Sequence, residues 1–228
     1  MALGFSSSSL SLPEGFTVTA HSGCEGTADN SFEFLKKCID IGASVAEIDV
    51  TFRRDGTPVI VHKEVAENDE GILFDEVMKI LSENTDKMCF NLDLKAFSHI
   101  GAVIDIIEKY SLKERCFFTG VRPEQVEILK AQSKEIPYYL NKSFSPFKKH
   151  SKRFLKLLAD EVKQSGAVGI NLNYRFASRE MVELFRKNGL LTSFWTANTE
   201  KAMKKLLYLA PDNITTRYPV LLESLIHK

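Results

Sequence analysis

Apolar residues recur with two spacings that alternate along most of the chain. One is every second residue, as in a β-strand, and the other is every three to four residues, as in an α-helix. Runs with the composition and alternation of β-strands are FTVTAH (16–21), VAEIDVTF (45–52), CFNLDL (89–94), CFFTG (116–120), PYYLN (137–141), VGINLN (168–173), LTSFWT (191–196) and NITTR (213–217). Helical spacing of apolar residues occurs between them, at 31–41, 72–83, 97–110, 124–132, 151–164, 178–188 and 200–209, with a short tail after Pro219. Ser31 before the first helix and Gly42 after it are a typical N-cap and a typical stop.

Eight strand–helix units within residues 13–228 predict an α/β fold, a closed (β/α)₈ TIM barrel. A doubly wound open sheet is the rival arrangement of the same alternation. The run TPVIVHK (57–63) follows the second strand through Asp55-Gly56, a hairpin turn signal, and predicts an extra β-hairpin strand beside the barrel mouth. No long linker divides residues 13–228, so we expect one domain there and a flexible N-terminal arm at 1–12.

The charge balance narrows the classes of partner. The 228 residues include 30 basic and 30 acidic side chains, which gives no electrostatic reason to expect nucleic acid or an anionic membrane. The basic run FKKHSKRFLK (147–156) is local, and we interpret it either as a solvated helix start or as an anion-binding rim. No stretch approaches the roughly 18 apolar residues of a transmembrane segment.

The four cysteines are Cys24, Cys38, Cys89 and Cys116, and they form no CxxC pair. This spacing is typical of reduced thiols in a cytoplasmic protein and does not resemble a disulfide or zinc framework.

Polar side chains gather at the ends of the predicted strands, where a TIM barrel carries its chemistry. They are His21, Glu47, Asp49, His62, Asp93 and Lys95. Because successive strand residues point to opposite faces, Glu47 and Asp49 share one face of an otherwise apolar strand. Two carboxylates on one buried face repel each other, so a cation should lie between them.

Three carboxylates from two adjacent strands suit a hard divalent cation, Mg²⁺ or Ca²⁺, completed by water or substrate oxygens. Zinc fits less well because its usual Cys and His ligands are not at ligand spacing. The alternative is an ion pair with Lys95, which would account for one carboxylate but not comfortably for three.

His21 and His62 would flank such a cation. Imidazole titrates near neutral pH, so one ring can take up a proton while the other releases one. A purely structural role is the alternative for each ring. The single tryptophan, Trp195, ends the seventh strand and would serve either as an apolar wall for a substrate or as a core residue.

Seven short motifs are spread in order over residues 16–220: AHSG (20–23), DNS (29–31), EIDV (47–50), RRDGTPVIVHK (53–63), DLK (93–95), FWTAN (194–198) and ITTRYP (214–219). Together they resemble the glycerophosphodiester phosphodiesterase family. The resemblance implies a barrel enzyme that hydrolyses a small glycerophosphodiester to an alcohol and sn-glycerol 3-phosphate. There are two alternatives. The substrate could be a lysophospholipid or another phosphodiester, or the protein could be a catalytically weak barrel that binds a phosphate ligand.

The resemblance also implies a role for each matching residue. Divalent-cation ligands would be Glu47, Asp49 and Asp93, the acid/base pair would be His21 and His62, and Lys95 would contact the phosphate. Trp195 is kept as a candidate substrate contact from its position at the end of the seventh strand. In such a mechanism the cation draws charge from the nonbridging phosphoryl oxygens while the histidines move protons.

The chain departs from the family pattern around the phosphate. Ser22 stands where the family has an arginine, which removes a bidentate phosphate contact. Two glutamates of the family motifs are aspartates in this chain, Asp29 and Asp93, and the aspartate that follows the second histidine is Lys63. Our hypothesis is that Lys63, Arg53 or Arg54 partly replaces the missing guanidinium.

A second departure is the length of the segment after His62. The family carries a long insertion there that helps to cover the substrate, whereas only EVAENDEG (64–71) precedes the next helix of this chain. We therefore expect a shortened family insertion and a site that is open on that side.

Overall fold

The computed structural model describes residues 12–133 and 135–227. Ten strands lie within this part of the chain: β1 (Thr17–Ala20), β2 (Val45–Phe52), β3 (Pro58–Ile60), β4 (Ile72–Leu73), β5 (Cys89–Leu94), β6 (Cys116–Val121), β7 (Tyr138–Asn141), β8 (Gly169–Asn173), β9 (Leu191–Trp195) and β10 (Asn213–Thr216). The helices described are α1 (Phe32–Asp40), α2 (Phe74–Asn84), α3 (Ile100–Lys109), α4 (Val126–Gln132), α5 (Lys152–Ser165), α6 (Arg179–Lys187), α7 (Glu200–Leu209) and α8 (Pro219–Ile226).

Eight of the strands are parallel and close into a barrel, which confirms the (β/α)₈ prediction over the open sheet. The strands β2, β5, β6, β7, β8, β9 and β10 follow one another side by side, and β1 pairs with both β2 and β10. Closure therefore makes the first and the last strand neighbours, with Ala20 opposite Thr216. It also places β2 beside β5 with Asp49 opposite Asp93, so their side chains meet at one level.

The extra hairpin strand is present and antiparallel to β2, as predicted, but shorter. It ends at Ile60, so His62 lies in the turn after the strand and does not end it. Residues 72–73 were predicted as the start of a helix, but they form β4 against β3. Their helical spacing was overridden by backbone pairing with Val59 and Ile60, and the helix begins at Phe74.

The helix ends follow local chemistry. Side chains of Ser31, Ser178 and Thr199 each accept a hydrogen bond from the third residue beyond them, which satisfies one free N–H of each helix start. The basic run at 147–156 contains the N-cap Ser151 and the start of α5, and the Lys149 ammonium donates to the carbonyl of Arg175.

The two faces of the barrel strands are chemically different. Outward residues such as Ile48, Leu92 and Phe194 are fully buried, in contact with the apolar core. Inward residues are largely polar and bonded to one another: the Ser193 hydroxyl lies 2.9 Å from Asn171 Oδ1 and 3.0 Å from Asn213 Oδ1. The barrel interior is thus a hydrogen-bonded polar column that leads to the carboxyl ends of the strands.

The predicted arm at 1–12 falls almost entirely outside the described residues. Leu12, its last residue, packs against the apolar core. The four cysteines are free. Among the described residues, no helix combines the length and apolar character needed to span a bilayer.

Candidate active site

A cavity of about 120 Å³ opens at the carboxyl ends of the barrel strands. All seven residues predicted for the site line it: His21, Glu47, Asp49, His62, Asp93, Lys95 and Trp195. Five further residues also line it, namely Asn91, Thr119, Asn141, Asn171 and Thr215. The carboxylates, the imidazoles and the tryptophan thus lie around one cavity.

The three carboxylates form one cluster. Glu47, Asp49 and Asp93 each offer an oxygen, and these oxygens lie within 4.8 Å of one another. Strand geometry produces the cluster, because Glu47 and Asp49 share a face of β2 and Asp93 is the cross-strand neighbour of Asp49. The Thr119 hydroxyl donates to Asp93 Oδ1 at 2.7 Å and fixes that side chain.

Lys95 is the cation that the cluster contacts directly. Its ammonium nitrogen lies 2.7 Å from Asp49 Oδ1 and also contacts Asp93 Oδ2. Lys95 thus forms ion pairs with two carboxylates, whereas the sequence predicted an ion pair with only one. The Asp49 Oδ1 contact is ionic but outside hydrogen-bond geometry, so among the described residues this buried oxygen has no hydrogen-bond donor.

The ion pairs of Lys95 are with Asp49 and Asp93 and not with Glu47, which is only 5% exposed. Burial raises the pKa of its carboxyl group well above the usual value, and the nearby Asp49 and Asp93 carboxylates add to the shift. The backbone N–H of Ser22 donates to Glu47 Oε2 at 2.9 Å and partly offsets these effects. Without a further cation, Glu47 is the carboxylate whose charge is least compensated.

The pKa of Asp49 is shifted in the opposite direction, to a lower value. Burial would raise its pKa, but the Lys95 ammonium, the Asn30 amide and His62 outweigh burial and lower the pKa. Asn30 contacts Asp49 twice: its Nδ2 donates to Asp49 Oδ2 at 2.7 Å, and its Oδ1 accepts from the Asp49 N–H at 3.1 Å. The DNS motif contained Asn30, but no sequence signal showed that it clamps this carboxylate.

The two imidazoles lie on either side of the carboxylates. His21 follows β1, and its Nδ1 is 2.8 Å from the Ser22 carbonyl oxygen and 3.7 Å from Glu47 Oε2. His62 Nδ1 is 3.1 Å from Asp49 Oδ2. A carbonyl oxygen can only accept, so Nδ1 of His21 carries the hydrogen and its Nε2 is the nitrogen left for another group. Burial lowers the pKa of His21, the Ser22 carbonyl opposes this, and the Arg217 charge adds to the lowering.

The basic residues proposed to replace the missing guanidinium are engaged elsewhere. Arg53 donates to the carbonyl oxygens of residues 70 and 71 at 2.9 and 3.0 Å. Arg54 pairs with Glu67, and the Lys63 ammonium contacts Glu70. All three are therefore held within the 53–71 hairpin and its following loop.

The cavity is open towards the short segment after β3, as the missing insertion predicted. The His62 side chain is 68% exposed. His62, Asp93 and Lys95 also line a second depression of about 380 Å³, which is bordered further by residues 63–64 and by Gly120, Arg122 and Gln125. Trp195 is 36% exposed and borders a third depression on the β7 side, so it is a wall of the mouth and not a core residue.

The arrangement is chemically suited to acid/base work on an anion beside a hard cation. Three oxygen donors and no thiolate favour Mg²⁺ or Ca²⁺ over softer metals. The imidazoles flanking the cluster supply side chains that can both accept and donate a proton.

Comparison with known proteins gives the same assignment. The model of the Glycerophosphoryl diester phosphodiesterase family matches residues 63–221. A glycerophosphodiester phosphodiesterase of Caldanaerobacter subterraneus subsp. tengcongensis is 24% identical over 238 residues, covering 92% of this chain and 98% of that protein. Its overall length is therefore close to that of this chain.

Solved structures share the fold. An Oleispira antarctica phosphodiesterase in complex with the product sn-glycerol-3-phosphate aligns with a TM-score of 0.76 and 20% identity, over 95% of this chain and 98% of that one. A glycerophosphodiester phosphodiesterase from Thermotoga maritima aligns with a TM-score of 0.70 and 21% identity, over 92% and 98%. The family match spans more than half of the sequence and the barrel agrees with it, so this chain belongs to the glycerophosphoryl diester phosphodiesterase family of phosphoric diester hydrolases.

Proposed function

We propose that this protein hydrolyses small glycerophosphodiesters to an alcohol and sn-glycerol 3-phosphate, using a divalent cation and two histidines. The observation that carries the proposal is the convergence of three carboxylates and two imidazoles in one cavity at the barrel rim. The relative from Oleispira antarctica holds sn-glycerol-3-phosphate, which is the product expected here.

The residues present fit a hard divalent cation, Mg²⁺ or Ca²⁺. The fit rests on an all-oxygen donor set and on the buried Asp49 Oδ1, which lacks a hydrogen-bond donor among the described residues. Glu47, Asp49 and Asp93 would hold the ion. When bound, it would withdraw charge from the nonbridging phosphoryl oxygens.

Lys95 and the histidines would act on the substrate directly. Lys95 sits beside Asp49 and Asp93, within reach of a phosphate held at the cluster. Nδ1 of each histidine lies against a protein oxygen, which leaves Nε2 of each ring for the substrate. One Nε2 would take the proton from the attacking oxygen, and the other would give a proton to the departing alkoxide.

Turnover assays test the proposal. Glycerophosphocholine and glycerophosphoethanolamine are supplied with Mg²⁺ or Ca²⁺, with and without chelator, and released sn-glycerol 3-phosphate is measured. We expect chelator-sensitive turnover that falls by at least about 10²-fold in His21→Ala and in His62→Ala, the usual contribution of a proton-transfer group. His150→Ala is the matched control, because that ring lies outside the cavity and contacts Glu180.

Other results would change the assignment. Turnover of lysophospholipids alone would point to a lipid phosphodiesterase. Binding of sn-glycerol 3-phosphate without turnover of any diester would point to a phosphate-binding barrel. Turnover that survives both chelator and the histidine variants would refute the proposed mechanism.

A further inference from the structure

Arg217 follows the last barrel strand and stands beside the first. Its predecessor Thr216 lies opposite Ala20 in the β10–β1 pair, and the His21 N–H donates to the Thr216 carbonyl at 2.8 Å. Two residues before Arg217, the Thr215 side chain lines the cavity. Arg217 itself lies just beyond the end of β10, and its positive charge helps to lower the pKa of His21, so it stands within electrostatic range of the cavity on the His21 side.

The guanidinium packs on the loop that follows His21. A side chain at Gly23 would place a Cβ 2.5 Å from Arg217 Nη1 and 2.0 Å from Asp29 Oδ1. Gly23 also has a φ of +76°, where glycine costs least. The loop thus leaves room for the Arg217–Asp29 pair directly above the 22–23 backbone, whose N–H at Ser22 holds Glu47.

This is the place where the family motif would carry its own arginine. The Ser22 side chain does not use the space, because it is fully buried and its hydroxyl accepts the Asn30 N–H at 2.7 Å. A guanidinium from the far end of the chain lies next to the position from which one is missing.

Asp29 binds Arg217 but uses only some of the N–H donors of its guanidinium group. Nη1 and Nη2 of the guanidinium lie 2.6 and 3.0 Å from the two carboxylate oxygens of Asp29. A guanidinium has five N–H donors, so the others remain for a second anion. The Arg217 side chain is 33% exposed, so part of it is accessible to solvent. Asp29 raises the pKa of Arg217, and Glu47 and Asp49 contribute, so its charge acts on the cavity.

We propose that Arg217 binds the phosphate group of the substrate, replacing from the last strand the guanidinium absent at Ser22, and that Asp29 positions it. The inference rests on the proposed function, since it names a substrate contact of the same site. It replaces the hypothesis that Lys63, Arg53 or Arg54 fills this role, because Arg217 packs on the loop after His21, next to Ser22, whereas those three side chains belong to the 53–71 segment.

The test separates phosphate binding from a merely structural latch. Arg217→Gln, Arg217→Lys and Asp29→Asn are compared with the wild type and with Arg186→Gln. Arg186 is an exposed arginine at the end of α6 that donates to the Ala210 carbonyl. Calorimetry in Mg²⁺ measures binding of inorganic phosphate, sn-glycerol 3-phosphate and glycerol, steady-state kinetics gives KM and kcat, and urea unfolding reports stability.

Arg217→Gln should weaken binding of phosphate and sn-glycerol 3-phosphate by about 10- to 100-fold, as expected for loss of charge-assisted hydrogen bonds. KM should rise by a similar factor, and Mg²⁺ affinity should not fall, because Arg217 is a positive charge near the carboxylates and not a cation ligand. The phosphate affinity of Arg217→Lys should lie between those of the wild type and Arg217→Gln, because lysine keeps the positive charge but cannot donate the paired hydrogen bonds of a guanidinium. Asp29→Asn should weaken phosphate binding by about threefold, less than Arg217→Gln, because the guanidinium remains but loses the charged carboxylate that positions it.

Two results would overturn the inference. One is unchanged phosphate affinity in Arg217→Gln. The other is an equal loss in Arg217→Gln and Asp29→Asn that tracks their unfolding free energies, which is the signature of a latch. If the wild type binds phosphate through Arg217 but turns over no glycerophosphodiester, the proposed function fails while the contact stands.

Discussion

Lys95→Met tests whether the carboxylate cluster depends on a cation. Met keeps the length of the side chain and removes the charge. The Lys95 ammonium lies 2.7 Å from Asp49 Oδ1 and is 16% exposed, so the pair is largely shielded from water. At an effective dielectric constant of about 20, unit charges at that distance attract by about 6 kcal/mol. Desolvation of the ammonium offsets part of this, and the net loss expected is about 3 kcal/mol in chelator.

Mg²⁺ should then substitute for the missing ammonium. At a Mg²⁺ concentration about 100 times its dissociation constant, binding contributes about 2.7 kcal/mol to the folded state. Urea unfolding in chelator and in Mg²⁺ measures both quantities. The control is Lys36→Met, which removes an exposed ion pair in which the ammonium lies 2.9 Å from the Asp40 carboxylate. This change should lower the unfolding free energy by less than about 0.5 kcal/mol.

The reasoning is refuted if Lys95→Met in chelator is as stable as Lys36→Met. It is equally refuted if Mg²⁺ leaves the unfolding midpoint of Lys95→Met unchanged. Either result would mean that the three carboxylates are not held together by positive charge, and the site would need another explanation.

Further predictions concern the barrel wall and the loop beside it. Gly169→Ala should lower the unfolding free energy by more than about 3 kcal/mol, because the added Cβ would lie 2.1 Å from the Leu191 carbonyl oxygen of the neighbouring strand. Gly101→Ala in α3 should raise the thermal midpoint, adding about 0.5 kcal/mol, because its nearest neighbour is 3.9 Å away and alanine favours helix. Arg217 lowers the pKa of Asp29, so this carboxyl adds stability above its ordinary pKa and loses it as pH falls through the lowered value. The midpoint difference between the wild type and Asp29→Asn should therefore be full at neutral pH and vanish in strong acid.

Strand parity explains why so much of the site was predictable. Glu47 and Asp49 are two residues apart on a strand, and Asp93 lies at the matching level of the strand that follows in the barrel. Position at a strand end likewise placed His21 and Trp195 at the mouth. These inferences need only the local period and the rule that barrel chemistry lies at the carboxyl ends.

What the sequence could not supply depends on contacts between distant residues. Ile72 has helical spacing with its neighbours, and only the presence of β3 beside it makes it a strand. Lys95 is two residues from Asp93, but its contact with Asp49 depends on the β2–β5 register. The pair between Arg217 and Asp29 joins residues 188 positions apart and exists only because the barrel closes.

Closure also explains how a phosphate site can change its sequence and keep its charge. The strands β1 and β10 are adjacent, so a cation lost after β1 can be supplied after β10 without moving the barrel. The mouth then holds carboxylates from Glu47, Asp49, Asp93 and Asp29 against permanent cations from Lys95 and Arg217. With neutral imidazoles and all four carboxylates ionised, this leaves two negative charges, which equals the charge that one divalent cation would neutralise. Because Glu47 and Asp49 are buried, that excess is costly, and the divalent cation proposed above would remove it where a single ammonium would not.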